Sequence, residues 1–161
     1  MKLAKFAALP AVFVALSSSA FAQLPQSRIL TAEVAQAIAV DAVANCKAAG
    51  YAVTALVVDA MNAPKFLLRA DGAAASTTKM AEMKAYSALL FNRPSGPTTP
   101  VPAGQTAPPT VIAGTVNNYG GIPIKVGDAT IGAIAVSGAP GGDKDAVCAN
   151  AALAKFADKL K

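Results

Sequence analysis

Residues 130–146 read TIGAIAVSGAPGGDKDA. Thr130 to Ser137 is a short β-type run, and the Gly/Pro turn after it feeds directly into a helix start. Ser137, Gly138, Gly141 and Gly142 supply flexible, donor-rich backbone. Asp143 reads as the N-cap, and Asp145 lies in the first turn, where the helix dipole favours negative charge. A strand, a glycine turn and a helix start leave outward-pointing amides that can take a small anionic group. The same pattern also serves as a plain strand-to-helix connection.

Working outward, Thr31 reads as the cap of a first helix over 31–49 that ends at Gly50. AVTALVVD at 52–59 reads as a buried strand, and 65–70 as a second, with Phe66, Leu68 and Ala70 on one face. The connection through Pro64 is too short for a parallel crossover, so the pair is an antiparallel hairpin. After the Asp71-Gly72-Ala73 turn, residues 76–92 have helical spacing with Ser76 or Thr77 as cap. A proline-rich loop fills 94–110. Three strands near 111–117, 122–126 and 130–137 and a helix over 143–160 complete the order α-β-β-α-β-β-β-α. This predicts an α+β domain with a five-stranded, mainly antiparallel sheet.

The chain has 161 residues, and its first 22 carry an export pattern. Lys2 and Lys5 precede a short apolar core, Phe6 to Leu16, and Ala20-Phe21-Ala22 is an A-x-A cleavage site. Cleavage near Ala22 predicts a single mature domain over 23–161, placed in the periplasm or secreted by the Sec route. The net charge of +5 includes the two leader lysines. With about +3 remaining, no basic cluster and few aromatics, neither a nucleic-acid partner nor a membrane span is expected. In an oxidising compartment Cys46 and Cys148 can pair. Each lies on the apolar seam of its helix: Leu30, Val34, Ile38, Ala42, Cys46 in one, and Cys148, Ala152, Phe156, Leu160 in the other. Spacing alone leaves open a bridge or two separately buried thiols.

LTAEVAQAI at 30–38, VVDAMNAPKFLLRADGA at 57–73, STTKMAEMKAYSALLF at 76–91 and GGIPIKVGDATIGAIAVSGAPGGDKDA at 120–146 together resemble the GlcG/HbpS family. The same domain type occurs at the C-terminus of PduO-type cobalamin adenosyltransferases. The resemblance implies a profilin- or PAS-like sandwich with the first and last helices packed together, which favours a Cys46–Cys148 contact. It also implies a homo-oligomer and binding of haem or a related tetrapyrrole, linked in some members to haem degradation or redox sensing. One departure stands out: the chain has no histidine, the commonest protein ligand of haem iron.

Without histidine there is no Ser-His-Asp or Cys-His arrangement, and neither zinc nor a nucleotide is expected. Met80 and Met83 on one helix, with Tyr86 nearby, are donor types for iron, though both methionines also suit an irregular core or interface. Lys79 and Lys84 can meet porphyrin carboxylates or simply be solvated and paired, with Glu82 among the partners. Arg69 and Asp71 flank Ala70, and either grip a carboxylate or form an ion pair fixing the turn; Gly72 suits positive φ there. Lys144 and Ser137 flank the helix start, and Tyr119 either covers a pocket or packs. The expected function is an exported, non-catalytic haem- or tetrapyrrole-binding protein. The first alternative is an enzyme degrading haem or acting on a small 2-hydroxy acid such as glycolate, and the second a structural assembly unit. The site is expected where two glycine corners, 71–73 and 138–142, meet in one anion-accepting hollow.

Overall fold

Strand β1, Thr54–Asp59, is buried on both faces from Thr54 to Val58, which is why its sequence is continuously apolar. Side chains alternate across it: Ala55 and Val57 join one core, Leu56 and Val58 the other. The computed structural model describes residues 28–98, 104–106 and 112–161. The expected leader over 1–22, and 99–103 and 107–111 of the proline-rich loop region, lie outside the described residues.

The other elements are α1 (Ala32–Ala48), β2 (Pro64–Arg69), α2 (Ser76–Phe91), β3 (Gly121–Val126), β4 (Ala129–Ser137) and α3 (Gly142–Lys155), with a 3-10 turn at Ala157–Lys159. The sheet order is β2-β1-β4-β3 and every pairing is antiparallel. Helices α1 and α3 cover one face through Ile38, Ala42, Cys46, Cys148 and Ala152. Cys46 and Cys148 are joined by a disulfide between these two helices, with Cα atoms 5.5 Å apart. Phe66, Leu68 and Ala70 pack against the same core, as their shared face in the sequence predicts.

On the opposite face α2 lies against alanines. Its Ala81, Ala85 and Ala88 meet Ala133 and Ala135 of β4. Small residues on both sides bring backbones close: a Cβ on Gly121 would stand 2.2 Å from the Lys84 carbonyl oxygen. Gly121→Ala therefore forces α2 and β3 apart, with an expected loss of about 1–3 kcal/mol. Urea denaturation of the purified variant checks this.

Three expectations are corrected. Among the described residues there are four strands, because 112–117 forms turns instead of a strand. There Thr115 Oγ1 donates to the Ile112 carbonyl, Gly114 takes φ +82°, and the Val116 amide donates to Ser87 Oγ, leaving no ladder to join. The N-cap of α2 is Ala75; Thr77 instead turns its hydroxyl onto the Ala74 carbonyl. The N-cap of α3 is Gly141, so Asp143 stands in the first turn, and the helix ends at Lys155. Thr31 does cap α1, its hydroxyl accepting from the Val34 amide.

Candidate functional site

Helix α2 separates two hollows. On one flank it stops short of β2, so Leu67, the cross-strand partner of Leu56, stays 41% exposed. The groove left there, about 240 Å³, has Leu56 and Val58 among its walls, with Pro64, Asn62, Met83, Tyr86, Lys79, Glu82 and Gly114. Lys79 pairs with Glu82 at 2.8 Å on the exposed rim. Met83 and Tyr86 are half-buried and lie on this flank because they are spaced one helical turn apart.

The second hollow, about 290 Å³, lies between α2 and the 137–142 turn. Met80, Lys84, Ser137, Gly141 and Gly142 line it, together with Asp145, Ser76, Thr77 and Asn118. The Lys84 side chain is only 1% exposed, contrary to a solvated reading. Its Nζ donates to Asp145 Oδ2 at 2.7 Å and to the Val136 carbonyl at 3.0 Å. Asp145 Oδ1 accepts from the Ala139 amide at 2.9 Å, so this carboxylate pins the turn as well as α2. Burial pushes the Lys84 ammonium down and the Asp145 carboxyl up, in each case against the opposing pull of the partner. Asp145 was legible only as a helix-start charge. Nothing local in the sequence signals a partner 61 residues away.

The two glycine corners share one end of the sheet but border different hollows. Thr54 of β1 pairs with Arg69 on one side and Ser137 on the other, which places the corners two strand spacings apart, about 10 Å. Asp71 of the first corner lines one hollow, and Gly138, Gly141 and Gly142 of the second line another. Arg69 does not pair with Asp71; its Nη1 donates to the Ala73 carbonyl at 2.6 Å and closes the turn in which Gly72 takes φ +84°. Asp71 lines a separate hollow with Val43, Lys47 and Tyr51. Lys144 lies 5.7 Å from the Tyr51 ring centroid and borders a fourth hollow beside Val147 and Cys148. Asp143 is exposed. Tyr119 packs on Gly96 and donates its hydroxyl to the Pro97 carbonyl, so it anchors the start of the proline-rich loop.

Among the described residues no three His, Cys, Asp or Glu side chains converge on a metal position. In the α2–hairpin groove the donor types suited to haem iron are a thioether and a phenol, Met83 and Tyr86, above buried Leu56 and Val58, while Met80 lines the second hollow. These residue types fit a tetrapyrrole, and Lys79 is the neighbouring cation.

No curated protein matches the chain by sequence. Among solved structures, HbpS is 32% identical, with 87% of this chain and 99% of that one covered and a TM-score of 0.71. Klebsiella pneumoniae protein ORFY is 26% identical, covered over 86% of this chain and 98% of its own, with a TM-score of 0.72. A PduOC:heme complex, 19% identical over 79% of this chain and 94% of its own, with a TM-score of 0.65, shares the fold. A family model described as haem degrading protein HbpS-like matches residues 30–154. The chain belongs to the HbpS-like family.

Proposed function

We propose that this is an exported, non-catalytic haem- or tetrapyrrole-binding protein, a carrier, scavenger or sensor, that holds the macrocycle in the groove between α2 and the β1–β2 hairpin. The observation that carries the reading is the groove itself: exposed Pro64 offers apolar surface over a floor of buried Leu56 and Val58, beside the half-buried Met83 thioether and Tyr86 phenol. Haem when bound supplies the iron chemistry, and these side chains supply an apolar face, a soft or phenolic donor and, at Lys79, a charge for a carboxylate. Family membership supports the same reading, as does the fold shared with a protein solved as a haem complex. At about 240 Å³ the groove takes one face of a macrocycle and not the whole of it. Exposed Leu67 and Met61, at this hairpin, support a homo-oligomer in which a second copy covers the remainder. The Cys46–Cys148 bridge and the leader pattern over 1–22 support export.

The test is titration of haemin into the purified protein. A saturable Soret shift at micromolar protein is expected, and the band should move again in Met83→Leu or Tyr86→Phe, whichever supplies the donor. No saturable shift overturns the proposal. Bleaching of the bound band on adding reductant favours instead the haem-degrading activity in the family description.

A further inference from the structure

Lys84 is buried, yet it forms part of the wall of the hollow of about 290 Å³ beside the glycine turn. Its Nζ lies 2.7 Å from a carboxylate, Asp145 Oδ2, placed to exchange a proton with it. The remaining polar side chains of the wall are hydroxyl and amide: Ser76, Thr77, Ser137 and Asn118. Gly120, at φ +123°, is required here by close packing: a Cβ would stand 2.5 Å from the Val136 carbonyl oxygen and 2.9 Å from both Asp145 Cβ and Lys84 Nζ.

We propose that Lys84 is an imine-forming nucleophile for a short hydroxylated aldehyde or ketone admitted to this hollow. The site is separate from the α2–hairpin groove and does not depend on the haem reading. A buried amine beside a carboxylate is the arrangement that activates lysine toward carbonyl carbon. Asp145 takes a proton from the Lys84 ammonium, and the neutral amine forms a C–N bond to the carbonyl carbon while the C=O π bond breaks and a proton passes from that nitrogen to the oxygen, giving a neutral carbinolamine. Asp145 then returns its proton to the carbinolamine hydroxyl, which leaves as water. The Lys84 ammonium and the carbonyl together give the protonated imine and one water, Asp145 ends as the carboxylate it began, and no oxidation state changes. Burial favours the neutral form of both groups, which eases the first transfer. The wall hydroxyls suit a ligand bearing hydroxyls of its own, and the hollow of about 290 Å³ accommodates a short one.

The experiment incubates the whole protein with dihydroxyacetone and sodium cyanoborohydride near neutral pH, then maps the reduced adduct by peptide mass. Lys84 should carry about tenfold more adduct than exposed Lys79, which has no buried carboxylate beside it. Asp145→Asn should remove most of the Lys84 adduct while leaving that at Lys79 unchanged. An unlabelled Lys84 in the folded wild-type protein, or labelling no greater than at Lys79, overturns the proposal without involving any variant and without bearing on haem binding.

Discussion

Asp145→Ala is expected to destabilise the protein by about 3–5 kcal/mol, enough to unfold much of a typical small domain near physiological temperature. The substitution leaves the Lys84 ammonium buried without its carboxylate, holding only the Val136 carbonyl. It also strips the Ala139 amide of its acceptor and so loosens the turn that leads into α3. Desolvation, not Coulomb attraction, sets the size of the effect: the intact pair gains little over an apolar one, but half a pair is costly. The double variant Lys84→Met, Asp145→Leu should therefore recover most of the loss. Urea denaturation of both measures the difference. A loss below about 1 kcal/mol in Asp145→Ala would mean that Lys84 finds water, and that the pair does not hold α2 and α3 together.

The disulfide should rank next. Cys46 and Cys148 are 102 residues apart in sequence, so the bridge removes a large loop-closure entropy from the unfolded chain. The chain-entropy relation gives ~4–5 kcal/mol for a loop of this length. Cys46→Ser with Cys148→Ser, or the wild-type protein under reducing conditions, should show a lower denaturation midpoint by a corresponding amount. An unchanged midpoint would contradict the account, in which the bridge fastens α1 to α3 across a core of small residues such as Ala42, Ala149 and Ala152.

Much of the framework is local in origin and therefore readable. The four-residue spacing of Leu30, Val34, Ile38, Ala42 and Cys46 puts them in or against one core, and the unbroken apolar run of β1 marks a strand covered on both sides. The run over 111–117 misleads because it is apolar and β-branched. Gly114 inside it was the available warning, and the Ser87 hydroxyl that captures Val116 comes from a helix 29 residues earlier. The site was less legible for the same reason. Met80 and Met83 are three residues apart, yet they line hollows on opposite flanks of α2. Lys84 looks like any helix lysine until the fold brings Asp145 to it. The two glycine corners do reach the same sheet end, but strand order inserts β1 between them, and order is not written in local composition.

Hydrogen exchange with and without haemin tests the location of the proposed haem site most directly. Bound haemin should slow exchange in the hairpin around 61–66 and along α2 near Met83 and Tyr86, while amides of the 138–142 turn exchange as before. Slowing confined to that turn, or to the face covered by α1 and α3, would contradict it.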